Sequence, residues 1–112
     1  MSAAGDESDP VPPGAFAAAG DRWTYTGSLT LDNAAAVVAA AAELPLPASG
    51  RVDLAGLGHA DSVALAVLLA IKRRAADERR SLAFEAVPAG LESLARVYGI
   101  DELLLTAPAH AA

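Results

Sequence analysis

His59, Asp61 and Ser62 stand within four consecutive positions and are the residue types of a nucleophilic hydrolase. Side chains this close along a chain do not line up as nucleophile, base and orienter, and the other histidine, His110, falls outside the expected core. Asp53 and Asp61 offer a general acid–base pair. With one expected on a strand and the other at a helix start, solvation and capping are the simpler roles. Gly56-Leu57-Gly58 lacks the third glycine of a dinucleotide loop and the Lys-Ser/Thr pair of a phosphate loop, so it is read as a loop with a tight turn. There is no cysteine, so a zinc site would rest on His59, His110 and carboxylates, and no metal-ligand spacing is present. No catalytic residue, metal or cofactor is predicted.

What remains is a helix start. The stretch from Val52 to Leu69, VDLAGLGHADSVALAVLL, reads as a short strand (Val52-Asp53-Leu54), a loop holding Gly56 and Gly58, and the pair Asp61-Ser62 opening an apolar helix. A small polar residue there caps the helix by accepting a hydrogen bond from an unpaired backbone N–H. The same place suits an anion, because the first N–H groups and the positive end of the dipole point outward. Ser62 thus has two compatible readings. As an N-cap it is worth about 1 kcal/mol. As a contact or regulatory hydroxyl it would switch an interface, since a phosphate brings close to two negative charges.

The elements that must hold this stretch follow from periodicity. Residues 1–21 are Ala, Gly, Pro, Ser and acid, with Pro10, Pro12 and Pro13 close together, the composition of a flexible segment. Order is expected from Arg22. Residues 22–26 read as a strand, Gly27-Ser28 as a turn or bulge, and Leu29-Thr30-Leu31 as a second short strand before Asp32, a suitable N-cap. An alanine-rich helix over 33–44 places Ala34, Val37, Val38 and Ala41 on one face and stops at Pro45 and Pro47. Trp23 is expected to anchor the core rather than stack a ligand.

The helix from Ser62 reaches about Glu78. It is apolar almost all round from Val63 to Ile71, so one side is expected to meet the sheet and another a partner. Lys72, Arg73, Arg74, Arg79 and Arg80 gather at its end, where the dipole favours cations; a phosphate or lipid-headgroup patch is the alternative. Residues 81–87 read as a half-buried strand with Leu82, Phe84 and Ala86 inward. Pro88 opens a helix whose stripe is Leu91, Leu94, Ala95 and Tyr98, closed by Gly99 and Ile100. Leu103-Leu104-Leu105 is expected to pack or add a short strand, and residues 107–112 to fray.

One domain and one modest core fit in 112 residues. Hydrophobic residues are 54% but aromatics only 4%, so that core is Ala, Val and Leu. A formal charge of −6 argues against general nucleic-acid binding. No signal peptide is recognisable, and Val63 to Ile71 is too short to span a bilayer, so a cytoplasmic protein without direct membrane insertion is expected. Strands alternating with helices predict an α/β fold.

The segment Val52-Asp53-Leu54 … Asp61-Ser62-Val63-Ala64-Leu65-Ala66 … Leu68-Leu69, with Gly27-Ser28-Leu29-Thr30 before it, resembles the STAS domains of anti-sigma-factor antagonists, over roughly residues 22–106. Within them it is most similar to the MlaB-like branch, also through Leu94-Ala95-Arg96-Val97-Tyr98-Gly99-Ile100. The resemblance implies a STAS-type mixed sheet of about four strands with helices mainly on one face, and a non-enzymatic role. In the MlaB-like branch it implies a subunit that binds the ATPase of an Mla-type phospholipid ABC transporter, and through it the permease, at the inner face of the membrane. Asp61 and Ser62 would organise that contact, with Val63, Ala66, Val67 and Ala70 as apolar candidates. The alternative implied partner is an anti-sigma kinase. Against it, the third residue of the usual Asp-Ser-Ser/Thr-Gly motif is Val63 and the fourth Ala64.

Overall fold

A computed structural model describes residues 14–105. Strands β1 (Ala15–Ala19), β2 (Arg22–Leu29), β3 (Arg51–Ala60) and β4 (Ala83–Glu85) form one mixed sheet in the order β1-β2-β3-β4. The first pair is an antiparallel hairpin, and β2–β3 and β3–β4 are parallel. Helix α1 (Ala34–Ala42) connects β2 to β3, and α2 (Ser62–Asp77) connects β3 to β4. Helices α3 (Ala89–Val97) and α4 (Asp101–Leu105) follow β4. α2 packs against the other three helices, forming their shared layer. The α/β, STAS-type fold expected from the sequence is the one observed.

The first correction is at the start. Residues 14–21, expected within a flexible segment, form β1 and the turn into β2. Their anchor is Phe16, whose ring lies 5.5 Å from Trp23 and 4.6 Å from Tyr25. Residues 1–13 and 106–112, with the rest of the expected tail and the frayed end, lie outside the described residues.

β2 is continuous where two short strands were expected, and β3 runs on through Gly56 and Gly58 where a loop was expected. Opposite β2, two steps from Thr24 to Thr26 match three from Asp53 to Gly56; two from Gly27 to Leu29 match three from Leu57 to Ala60. β3 therefore carries an extra residue twice, as bulges do. Its inward residues are Val52, Leu54 and Leu57. At Gly56 the backbones come so close that a Cβ would lie 2.5 Å from the Tyr25 carbonyl oxygen, so the glycine serves strand pairing rather than a turn.

Smaller corrections have equally local reasons. Asp32 caps nothing: Asn33 precedes α1, and its carboxamide instead accepts from Thr30 N–H (2.9 Å) and donates to the Ser28 carbonyl (2.9 Å). Ala86 is exposed with φ 56°, which ends β4 after three residues. Tyr98 falls outside the buried stripe, because the helix closes at that point in a Schellman motif. Gly99 (φ 73°) donates to the Arg96 carbonyl, and Ile100 to the Ala95 carbonyl at 2.9 Å. The leucines after it form a helix, α4, that buries Leu104 completely.

The core runs from Phe16, Trp23 and Tyr25 through Val52 and Leu54 to Leu68 and Leu104. Trp23 is the anchor expected, with Nε1 donating to the Pro45 carbonyl at 3.0 Å. The basic cluster serves α1 more than its own helix. Arg74 donates to the Ala41 and Leu44 carbonyls at the end of α1, at 3.2 and 2.8 Å, and Arg80 to the Pro47 carbonyl just beyond it at 2.6 Å.

Candidate protein-docking site

The start of α2 is built around Asp61, not Ser62. Asp61 is the N-cap residue, and its Oδ1 accepts from the Val63 N–H at 3.0 Å. Its Oδ2 accepts from the Leu31 N–H at 3.1 Å, tying the β2–α1 loop to the helix start. Both carboxylate oxygens are thus committed to backbone amides. This leaves Asp61 a positioning residue and separates it from any triad with His59, which is exposed on β3. Asp53 is elsewhere, its Oδ1 accepting from the Ala55 N–H at 2.8 Å. Among the described residues no group of three or more His, Cys, Asp or Glu side chains is arranged to hold a metal ion.

The cap frees Ser62. It occupies the first turn of α2 with its side chain exposed. Along the same face come Ala66, Ala70 and Arg73, also exposed, at helical spacings of four, four and three. Small side chains in this row let another backbone approach closely. The other candidates divide. Val63 is half-buried against the core. Val67, expected at the partner surface, is 3% exposed and packed in this domain's own core. An all-round apolar helix carries no sequence signal for which apolar residues face inward, and α2 turns Ala64, Leu65, Val67, Leu68 and Ile71 into the core.

Sequence reasoning missed the other wall of the site. Tyr98 and Ile100, from the closure of α3, face α2 across a groove of about 340 Å³ lined also by Ser62, Leu65, Ala66 and Leu69. Farther along α2 a second depression of about 260 Å³ is bounded by Leu69, Lys72, Arg73, Ala76 and Leu103. Tyr98 and Leu103 are 58% and 65% exposed, and Leu31, beside the Asp61 cap, is 74% exposed. Large apolar side chains left in water along α2 mark a contact surface. The available signal was the failure of Tyr98 and Leu103 to fit a buried stripe once Gly99 ended the helix.

The surface is apolar and small-residue in its first half and basic at its far end. Burial lowers the pKa of Lys72 below that of an ordinary lysine. Among the described residues no helix is long and apolar enough to cross a membrane. The arrangement presents a face for another macromolecule rather than a closed pocket for a small substrate.

Comparison with known families agrees with this reading. A family model described as "Mlab, STAS domain" matches residues 17–106, from within β1 to just past α4. No curated protein matches the chain. The match takes in every strand and helix that forms the docking face, and the chain belongs to the MlaB-like STAS domain family, a family of protein-interaction modules.

Proposed function

We propose that this chain is a non-enzymatic accessory subunit of an Mla-type phospholipid ABC transporter, docking on its cytoplasmic ATPase through the start of α2. In such a system it supports the lipid transport that maintains outer-membrane asymmetry. The observation that supports this reading is the exposed row Ser62, Ala66 and Ala70 beside the Tyr98 groove, in a domain of the MlaB-like family. Asp61 sets the geometry, Ser62, Ala66 and Ala70 make the contact, and Val63 contributes its exposed part, while Val67 is held in the domain's own core. The protein needs no membrane segment of its own for this role, since the ATPase would hold it at the membrane's inner face.

The test is a calorimetric titration of the purified chain against the ATPase subunit of an Mla-type transporter. Ser62→Arg, which places a long cation on the row, is expected to weaken binding at least tenfold, and Ser62→Ala measurably, with little change in unfolding. Equal affinity for both variants would remove Ser62 from the interface. If the chain instead binds an anti-sigma kinase and gains the mass of a phosphate with ATP, it belongs to sigma-factor regulation, and Ser62 is the hydroxyl to examine first.

A further inference from the structure

We infer that the stretch of β3 beyond Asp53 is a second contact for the docking partner, which adds an extended segment of its own to the sheet there as a short strand. The inference rests on the reading that an ATPase docks at the start of α2.

The first observation is a difference in length. β4 pairs with β3 only at Arg51, Val52 and Asp53, whereas β3 continues to Ala60. Among the described residues no other strand flanks β3 on that side, so the edge is open from Leu54 to Ala60. Ala55, Gly56, Gly58 and His59 along it are exposed. An open edge presents backbone N–H and C=O groups that an extended chain can pair with. Just past the last paired residue, the Ala55 N–H turns back to its own strand and donates to Asp53 Oδ1 at 2.8 Å.

The second observation is what keeps the edge open. Ala86 takes φ 56° and ends β4, a backbone region that costs a residue with a side chain about 1 kcal/mol. A longer β4 would have covered the edge. The stretch from Leu54 to Ala60 also holds no lysine or proline, residues that keep strand edges from pairing. Its two bulges break the run, which limits any added strand to a few residues.

The third observation concerns the occupant. An edge of this length is about 20 Å long and a sheet about 10 Å thick, so a strand laid along it covers about 200 Å². A stable contact between two proteins takes about 800 Å² from each. The edge therefore holds nothing alone and works as an extension of a larger contact. It ends at Ala60, directly before the Asp61 cap and Ser62, so a body seated on the start of α2 reaches it without a break. The occupant is a segment of that same body, the ATPase, held through its backbone.

Hydrogen–deuterium exchange of the full chain, alone and with the ATPase subunit of an Mla-type transporter, tests this. Uptake over residues 54–60 is expected to slow at least tenfold in the complex, together with that at the start of α2. Gly58→Lys sets a charge on the edge, and its Cβ would meet only the Gly27 carbonyl oxygen, at 3.8 Å, so the fold accommodates it. This variant is expected to bind at least tenfold more weakly with Tm unchanged; if it does not fold, exchange in the unaltered chain decides. Slowing confined to α2, or full affinity in a folded Gly58→Lys, would overturn the inference and leave the docking reading standing. Slowing confined to 54–60 would support the edge and overturn α2 as the docking face. A complex that does not form overturns both. Protection of 54–60 that rises with the concentration of the chain alone would assign the edge to a second copy, and also overturns the inference.

Discussion

Removing the Asp61 carboxylate separates the cap from the contact. The side chain makes two hydrogen bonds, to Val63 N–H at 3.0 Å within the helix and to Leu31 N–H at 3.1 Å across to the loop after β2. Loss of an N-cap costs about 1 kcal/mol. The Leu31 bond is charge-assisted but lies at the surface, and is worth about 0.5–1 kcal/mol. Asp61→Ala should therefore destabilise by about 1.5–2 kcal/mol, which in a domain of this size lowers Tm by about 10 °C. Asp61→Ser keeps a capping oxygen but does not reach Leu31, so it should lose only the smaller part, about 0.5–1 kcal/mol. Ser62→Ala should change stability by less than about 0.5 kcal/mol, the range of a surface substitution. Urea unfolding followed by circular dichroism gives all three values with one slope to compare. If Ser62→Ala were as damaging as Asp61→Ala, the hydroxyl would be the cap and the argument that the fold frees Ser62 would fail. If Asp61→Ser matched Asp61→Ala, the cap would carry nothing and the loop bond everything.

Four further outcomes are expected. Phe16→Ala should destabilise by about 3 kcal/mol in equilibrium unfolding, because its ring packs on Trp23 and Tyr25; a neutral result would mean β1 adds nothing to the core. Arg79, at φ 58° just past the end of α2, occupies a backbone region that costs a side chain about 1 kcal/mol, so Arg79→Gly should raise stability by about 0.5–1 kcal/mol in the same assay. Burial raises the Tyr25 phenol above the ordinary tyrosine value of 10.0, against a smaller lowering by the hydrogen bond with the Asn33 side chain. The folded state thus favours the protonated phenol, and its contribution, complete below pH 10, is lost as pH rises through the elevated value; an alkaline stability curve should flatten in Tyr25→Phe. Val67→Ala should cost about 1–3 kcal/mol of stability with partner affinity kept, whereas Ala66→Trp should do the reverse, as unfolding and titration side by side will show.

The first halves of β2 and β3, the strand around Phe84, the helix over 62–77 and the closure at Gly99 were legible because each carries a strong local signal: alternation, an Asp-Ser start, a glycine that takes φ 73°. β1 was not. AFAAA has the composition of a linker, and the single residue that makes it a strand, Phe16, acts only through rings that lie seven and nine positions ahead. The glycines of β3 announced something irregular, but a turn and a bulge look alike without the partner strand. At the site, the position of the helix start was readable and its division of labour was not. Asp61 and Ser62 are both good capping residues, and only the Leu31 amide explains which one was taken. Val67 and Ala66 differ by one position on a helix apolar all round, and only the sheet beneath decides which is covered.

The two extra residues in β3 also govern which changes of chain length this domain tolerates. Leu54 and Leu57 both face inward although they are three positions apart, because the extra residue between them resets the alternation. Removing one residue at either bulge would let β3 pair with β2 in regular register, losing the local bend by which the strand delivers Asp61 to the Leu31 amide. Removing one from Val52 to Leu54, where the pairing is regular, would instead turn the later side chains over and draw the helix start back by about 3 Å, out of step with the loop it is tied to. Insertions and deletions accepted during divergence should therefore cluster before β1, in the loop over residues 45–50, and after α4, while the length from Arg51 to Asp61 stays constant even where its residues change.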